Sequence, residues 1–312
     1  MTPTPIIDMF SGTGELARAV ADGLNEFTRF QSFSDNYGPA RKYLCTRFPL
    51  EVQVARDFRS QDVPEGSIVT VGAPCQDLSV AGKRAGAERE SGTRSSLIHE
   101  ALDMAVTGGA DLIVAENVPG GHRTYLDLAR QLSEEPGYRT TVSSGGAWEV
   151  GAPHRRERIM LVAARRRFEP RRIDVVRQIA PAGLLPTPSV VDRAWGLTSE
   201  QWDDVKRRYH EKHHNGNGLG ETISSVLSRD LEDEEIRLIQ TWENVTGVYA
   251  PPTGQTCQFM HWMMGLPHRG LDALGLSVSA QRRLAGNAVV RLQARLMLQR
   301  GLTAVNDTKG NL

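Results

Sequence analysis

The feature that most constrains the fold is an alternation of short apolar runs with amphipathic stretches, which extends from Pro5 to about Arg167. This alternation is typical of βαβ units that build a mostly parallel sheet. The runs PIIDMF, RFQSFS, SIVTVGAP, DLIVAENV, YRTTVSS and RIMLVAAR predict strands. The stretches GELARAVADGL, GPARKYLCTRF, SSLIHEALDMAV and TYLDLARQLSEE predict helices. The sequence therefore predicts an α/β domain with a mostly parallel, twisted sheet and helices on both faces.

The sequence pattern changes after Arg165, where the alternation ends and charged residues, proline and glycine dominate RRRFEPRR, LLPTPSV and HHNGNGLGE. Two further helices are predicted there, SEQWDDVKRRYHEKHH and LEDEEIRLIQTWENV, and the chain becomes apolar and helical again at QFMHWMMGLP. We predict a first domain over residues 1–170 and a smaller second domain over 171–255. Residues 256–312 are predicted to return to the first domain and complete it.

Composition excludes several classes of protein. The 312 residues carry 37 Lys plus Arg and 37 Asp plus Glu, which excludes a globally basic nucleic-acid coat but leaves a local basic cleft open. Three widely spaced cysteines form neither a disulfide framework nor a zinc ribbon, so a reducing, cytoplasmic setting is expected. No targeting segment or run of membrane-spanning length is present, and the protein is expected to be soluble.

A metal site is not expected. His210, His213 and His214 end a basic helix, where neither a cysteine nor a carboxylate completes a ligand set. Cys257 and His261 are one helical turn apart and are interpreted as structural.

The segment DMFSGTG follows a strand and opens a helix, so Gly12 and Gly14 would let a cofactor approach the backbone and the helix N-terminus. An ordinary strand-to-helix turn explains the glycines equally well. Asp35 ends the next strand, where a carboxylate can accept both hydroxyls of a ribose, so the pair favours a cofactor that carries adenosine. Nicotinamide, flavin and sulfonium cofactors all remain possible. The Asp57 carboxylate could pair with the amino group of an adenine, and the Phe58 ring could stack on it. The alternative is that Asp57 caps a helix and Phe58 packs in the core.

Cys75 is either a buried packing residue or a catalytic nucleophile. Most lone cysteines are small buried hydrophobes, but this one follows a β-branched strand and Pro74, and precedes a polar loop. LIVAENVPG repeats the arrangement with Glu116 at a strand end. A general acid beside a nucleophile suits covalent catalysis on a heteroaromatic ring, whereas the alternative for Glu116 is a cap.

HRRERIMLVAAR places three arginines before a strand. Strand alternation would put Arg156 and Arg158 on one face and Arg155 on the other. Two guanidiniums on one face suit a phosphate or a ring carbonyl. The alternative is a surface salt-bridge cluster with Glu157.

Together these segments resemble the DNA cytosine-5 methyltransferase family. DMFSGTG resembles the family's cofactor motif, GAPCQDLS its Pro-Cys-Gln loop, AENV its Glu-Asn-Val motif, HRRER its Gln-x-Arg-x-Arg motif and GNAV its Gly-Asn-x-Val. The five motifs occur in the family's order between residues 8 and 289. The region from about 170 to 255 corresponds to the variable target-recognition domain, and the first domain to a Rossmann-like methyltransferase fold.

The resemblance implies a role for each motif. Cys75 would attack C6 of a cytosine flipped out of duplex DNA, and the activated C5 would take the methyl group of S-adenosylmethionine. Glu116 would hydrogen-bond N3 and the amino group of the base. Arg158 would contact O2, with Arg156 shaping the same wall. The implied cofactor residues are Phe10, Gly12, Gly14, Asp35, Asp57, Phe58, Pro74 and Asn287, and the implied substrate residues are Gln76, Ser79 and Asn117.

The chain departs from the family pattern at two positions. His154 stands where the family usually has Gln, so a hydrogen-bonding side chain remains but its particular contact differs. Tyr37 stands in place of a common Trp beside the ribose-binding acid, unless Asn36 takes that position.

The resemblance further implies a monomeric enzyme that forms 5-methylcytosine in double-stranded DNA, in a bacterial cell or a phage-infected host, with or without a paired restriction enzyme. Two alternatives stay open. The same chemistry could act on RNA, although a recognition region of this size favours DNA. A catalytically silent DNA-binding relative would be free to lose Cys75, Glu116, Arg158 and Asn287, which are all present.

Overall fold

The computed structural model describes residues 2–74, 96–173, 184–189, 197–213, 222–267 and 274–307. Its strands are β1 (Thr4–Met9), β2 (Thr28–Ser34), β3 (Gln53–Ala55), β4 (Ile68–Val71), β5 (Leu112–Asn117), β6 (Arg139–Gly146) and β7 (Glu157–Ala164). Its α-helices are α1 (Glu15–Gly23), α2 (Gly38–Arg47), α3 (Leu97–Thr107), α4 (His122–Glu134), α5 (Ser199–His213), α6 (Ile223–Leu227), α7 (Asp233–Thr246), α8 (Thr256–Met263), α9 (Val278–Asn287) and α10 (Arg291–Asp307).

Within the described residues the strands form one sheet in the order β3-β2-β1-β4-β5-β7-β6. Strand β7 runs antiparallel to β5 and β6, and the other neighbours are parallel. The chain order reverses at β1, which lies between β2 and β4, and open α/β sheets bind their ligands at such a switch point. The predicted fold class is confirmed. The short β3 and α6 escaped prediction because each is too short to show a periodicity.

Alternate residues of the strands face two apolar layers. Ile6, Ile68 and Leu112 belong to a cluster that helices α1, α2 and α10 complete. Ile7, Val69 and Ile113 belong to a second cluster that α3 and α4 complete. Because both faces of the sheet are covered, its central strands are apolar at nearly every position, which is how the sequence reveals them.

The C-terminal segment forms two helices instead of one continuous helix. Helix α9 ends at Asn287 and α10 begins at Arg291. Helix α10 packs on the sheet, where Gln293 Nε2 donates to the Gly145 carbonyl at 2.8 Å. A side chain at Gly301 would bring its Cβ within 2.6 Å of Val162, so the missing Cβ permits the close approach of α10 to β7.

The chain divides into two compact units. One comprises Met1–Gly146, Glu157–Val175 and Val289–Leu312, and the other comprises Ala147–Arg156 and Val176–Ala288. The predicted boundaries at 170 and 255 differ from these, most clearly at the C-terminal side. Helices α8 and α9 pack on each other and belong to the second unit, so only α10 returns to the first.

Candidate active site

The loop after β1 turns sharply. Phe10, Gly12 and Gly14 have φ angles of 56°, 56° and 74°, in the left-handed region that a non-glycine residue such as Phe10 seldom adopts. A Cβ on Gly14 would lie 2.8 Å from the ring of Phe48, whereas a Cβ on Gly12 would meet no atom within 4 Å. Gly14 is therefore required by packing, and Gly12 by its backbone angle beside an open space. A strained residue held by its surroundings is typical of a functional loop.

Asp35 joins this loop to the end of β2. Its Oδ2 accepts the Gly12 N–H at 2.8 Å, and its Oδ1 accepts the Tyr37 N–H at 2.8 Å. A carboxylate has about four acceptor positions, so each oxygen keeps one for a further donor. The half-buried Asp35 thus fits two vicinal hydroxyls of a ribose, as the sequence predicts for it.

Asp57 is a helix cap and Phe58 a core ring, which is the alternative to adenine binding that the sequence left open. The Asp57 carboxylate caps the short turn Phe58–Ser60 by accepting the Arg59 N–H at 3.1 Å. Phe58 is buried, and its ring centroid lies 4.7 Å from that of Phe10. The Phe58 ring thus packs against Phe10 of the loop after β1, and contact of Asp57 and Phe58 with a cofactor remains a prediction.

The predicted nucleophile loop begins where β4 ends. Gly72 approaches the β1 loop so closely that a Cβ would lie 3.0 Å from the Phe10 carbonyl oxygen. Pro74 is the last residue described before 96, so the predicted Cys75, Gln76 and Ser79 lie outside the described residues.

Glu116 and Arg158 lie together on neighbouring strands. Glu116 is opposite Met160 in the antiparallel register of β5 and β7, which makes Arg158 its diagonal neighbour on the same face. Arg158 Nε lies 2.9 Å from Glu116 Oε1, and both side chains are mostly buried. The contact has the distance of an ion pair without the angle of a hydrogen bond. The carboxylate therefore keeps acceptor positions for a second donor.

Arg156 has different partners. It precedes β7 and has a φ angle of 25°, so the strand alternation that would pair it with Arg158 does not reach it. Its Nη2 donates to the carbonyls of Gly286 at 3.1 Å and Ala288 at 2.6 Å, on either side of the predicted cofactor residue Asn287. A guanidinium there satisfies carbonyls at the C-terminal end of α9. All of these residues belong to the second unit.

His154 and His261 are fully buried in the second unit. His154 Nε2 lies 3.1 Å from the Met263 carbonyl oxygen, which is the contact made by the histidine that replaces the family's Gln. His261 Nε2 lies 2.8 Å from the Gln281 carbonyl oxygen. Among the described residues no group of three or more His, Cys, Asp or Glu is arranged to hold a metal ion.

Asp8 belongs to none of the predicted site residues, although an acid inside an apolar strand is itself a signal of function. Asp8 is 1% exposed on β1, and Thr70 Oγ1 on β4 donates to its Oδ1. Burial raises the pKa of Asp8 to about 7, because the cost of burying the charge outweighs the hydrogen bonds from Thr70 and Ser11, which lower the pKa. The base of the β1 loop therefore holds a carboxyl group that titrates near neutral pH.

A switch in strand order with polar side chains at the carboxyl ends of β2 and β5 defines the class of open α/β proteins whose ligand sites lie at this edge of the sheet. The chain belongs to the C-5 cytosine-specific DNA methylase family, whose model matches residues 4–261. The family predicted from the five motifs is confirmed.

Curated relatives are similar over part of the chain. Type II methyltransferase M.NmeDI of Neisseria meningitidis serogroup C is 33% identical over 135 residues, which are 41% of this chain and 30% of that protein. Type II methyltransferase M1.ScrFI of Lactococcus lactis subsp. cremoris is 29% identical over 52% of this chain and 43% of its own length. Orphan methyltransferase M.Rho11sI of Bacillus phage rho11s is 27% identical over 53% and 34%. The matched segments thus span less than half of these relatives.

Solved structures share the fold over nearly the whole chain. The Entamoeba histolytica methyltransferase EhMeth has a TM-score of 0.53 and 17% identity, covering 99% of this chain and 100% of its own. The S. pombe Dnmt2 methyltransferase has a TM-score of 0.55 and 14% identity, covering 95% of this chain and 98% of its own. At these identities the likeness concerns the fold alone. In the part of the chain that the structure describes, no helix has the length and apolar character needed to cross a membrane.

Proposed function

We propose that this protein is a DNA cytosine-5 methyltransferase that transfers the methyl group of S-adenosylmethionine to C5 of a cytosine flipped out of double-stranded DNA. The observation that carries the proposal is the mostly buried Glu116–Arg158 pair at the carboxyl end of β5. A carboxylate and a guanidinium on one face match the N3 and O2 edge of a cytosine. Membership of the cytosine-specific family and the names of the type II relatives support DNA as the substrate.

Each residue has a defined task in this reaction. The Cys75 sulfur adds to C6, which breaks the aromaticity of the ring and makes C5 nucleophilic. Glu116 holds N3 and the amino group and favours the protonated ring, while Arg158 stabilises negative charge on O2. C5 would take the methyl group and leave S-adenosylhomocysteine, and passage of the C5 proton to solvent would then break the C6–sulfur bond and release the thiolate of Cys75.

The β1 loop and Asp35 form the proposed cofactor site. S-adenosylmethionine supplies an electrophilic methyl group on a sulfonium. Asp35 would accept the ribose hydroxyls through the acceptor positions that Gly12 and Tyr37 leave open. The open space beside Gly12 admits a ligand to the backbone, and Phe10, Asp57, Phe58, Pro74 and Asn287 are proposed to line the remainder. Gln76, Ser79 and Asn117 are proposed to serve the substrate.

A transfer assay with tritiated S-adenosylmethionine and mixed-sequence duplex DNA tests the proposal. We expect label in 5-methylcytosine, and none with Cys75→Ala, which should still bind cofactor and DNA. Competing tRNA measures the RNA alternative, because preferential labelling of tRNA would assign the activity to RNA. Cofactor binding without label in either nucleic acid would contradict the proposal. Bisulfite sequencing of DNA from cells that express the protein would then read out the target site.

A further inference from the structure

A buried hydroxyl group lies directly behind the proposed cytosine-binding acid. Tyr125, on helix α4, is fully buried. Its Oη donates to the backbone carbonyl of Glu116 at 3.1 Å and accepts the side-chain amide of Asn117 at 3.2 Å. The phenol therefore contacts both of the last two residues of β5.

The amide of Asn117 extends this contact to the neighbouring strand end. Asn117 Nδ2 also lies 3.4 Å from the carbonyl oxygen of Ala73, the residue before Pro74, and its Oδ1 accepts the Val118 N–H at 2.8 Å. Tyr125 and Asn117 are 0% and 3% exposed, so water does not compete for these groups. A continuous chain of hydrogen bonds thus joins α4, the end of β5 and the end of β4.

The position of this chain in the sheet explains why it matters. The parallel register of β4 with β5 ends at the pair Val71 and Ala115. Glu116, Asn117 and Ala73 lie beyond it, so the ladder with β7 holds the backbone of Glu116 and Asn117 on one side only, and the side facing β4 is left to side-chain contacts. A buried polar group that loses its partner costs more than a formed bond gains, so Tyr125 and Asn117 hold each other in place.

We infer that Tyr125 is a positioning residue, which acts through Asn117 to hold the backbone of Glu116 and the start of the Pro74 loop in register for attack on the base. The inference rests on the proposed function, because it concerns the alignment of the acid and the nucleophile loop. Tyr125 itself touches neither cofactor nor base in this role. Its loss should lower the rate of the chemical step and leave cofactor binding unchanged.

Tyr138 supplies a matched control. It is also a buried tyrosine of the same apolar cluster, and its Oη donates to the backbone carbonyl of Ala110. Ala110 precedes β5, at the opposite end of the strand from Glu116. Tyr125→Phe and Tyr138→Phe each remove one buried hydroxyl, and because the Tyr125 hydroxyl has more hydrogen-bond partners, the two variants are compared under conditions in which both are fully folded. They differ in position, because Tyr125→Phe removes a contact at the carboxyl end of β5 and Tyr138→Phe removes one just before its amino end.

The experiment measures a covalent adduct on duplex DNA that carries 5-fluorocytosine, in which fluorine replaces the C5 proton whose loss would release Cys75. We expect Tyr125→Phe to slow adduct formation and kcat about ten-fold, since small misplacements of reacting groups are costly, with the KM for cofactor within about two-fold. Tyr138→Phe should form the adduct at the wild-type rate. Equal rates for the two fully folded variants would overturn the inference.

A double-mutant cycle with Asn117→Ala tests the route through Asn117. If both residues act through one chain, Tyr125→Phe should have little further effect on adduct formation when Asn117 is already Ala. Additive effects would overturn the route. Should Tyr125→Phe fail to fold, Asn117→Ala is compared with Tyr138→Phe, and an unchanged affinity for duplex DNA separates lost positioning from a lost contact with the substrate. A wild-type protein that forms no adduct would instead contradict the proposed function, which separates the two failures.

Discussion

Arg158 Nε lies 2.9 Å from the carboxylate of Glu116, and the two side chains are 16% and 11% exposed. Removing an ion pair from water costs free energy, which only a contact of good geometry offsets. Here the contact lacks the angle of a hydrogen bond. The pair is therefore better arranged for receiving a ligand than for stabilising the sheet. A base edge that offers both an acceptor and a donor would complete both groups.

The first prediction concerns this carboxylate. Glu116→Gln keeps the size of the side chain but removes the charge that would favour a protonated ring. We expect kcat to fall about a hundred-fold, the usual cost of losing one electrostatic contact to the transition state. Cofactor affinity, measured by titration calorimetry, should stay within about two-fold of the wild-type value, since the change lies outside the proposed cofactor loop.

Glu157→Gln is the control for that prediction. Glu157 is an exposed carboxylate at the start of β7, next to Arg158 in sequence, and the substitution removes the same charge. Arg158 Nη1 donates to the backbone carbonyl of Glu157 at 2.7 Å, and the substitution leaves this carbonyl in place. A comparable loss of turnover in both variants would show that general charge near Arg158, and not the Glu116 carboxylate, controls the rate.

The second prediction concerns Arg156. Its Nη2 donates to two carbonyls at the end of α9, and the shorter side chain of Arg156→Lys does not carry a donor to the position of Nη2. We expect Arg156→Lys to lower the free energy of unfolding by about 1–3 kcal/mol, measured by urea denaturation. The exposed neighbour provides the comparison, because Arg155→Lys should change stability by about 0.5 kcal/mol or less. Equal effects at both positions would refute a capping role for Arg156.

The alternation of apolar runs and amphipathic stretches predicted much of the fold, because a sheet covered on both faces has strands that are apolar at nearly every position. The same logic failed at Arg156. The period of two applies only to extended backbone, and a φ angle of 25° interrupts it one residue before β7 begins. Tyr125 was also missed, since a tyrosine at helical spacing gives no sign of where its hydroxyl points. Such a contact depends on how α4 sits on β5, which no local pattern encodes.

The third prediction uses Asp8, whose pKa burial raises from 3.8 to about 7. Between these values the folded protein keeps a proton that the unfolded chain has lost. The free energy of unfolding therefore falls as the pH rises through this window, by up to about 1.4 kcal/mol per pH unit. Asp8→Asn stays neutral and can still accept from Thr70, so its stability relative to wild type should increase from pH 4 to 7 and then level off.

Urea denaturation at several pH values measures that difference. Glu15 also has a pKa raised by burial, but it is present in both proteins and cancels in the comparison. Asp62→Asn removes an exposed carboxylate and serves as the matched control for the loss of one charge. A pH-independent difference for Asp8→Asn would mean that the carboxyl group is not protonated in the folded protein.

The last prediction separates the two glycines of the β1 loop. Both have positive φ angles, so Gly12→Ala and Gly14→Ala each carry a backbone strain of about 1–2 kcal/mol. The Cβ of Gly14→Ala also meets the rigid ring of Phe48 at 2.8 Å, whereas the Cβ of Gly12→Ala enters open space. Thermal denaturation should therefore show the larger loss for Gly14→Ala. Titration with S-adenosylmethionine should show the larger loss of affinity per unit of lost stability for Gly12→Ala, because its methyl group would occupy the side from which a ligand approaches. If Gly12→Ala bound the cofactor like the wild-type protein, the open space beside residue 12 would not be the cofactor site.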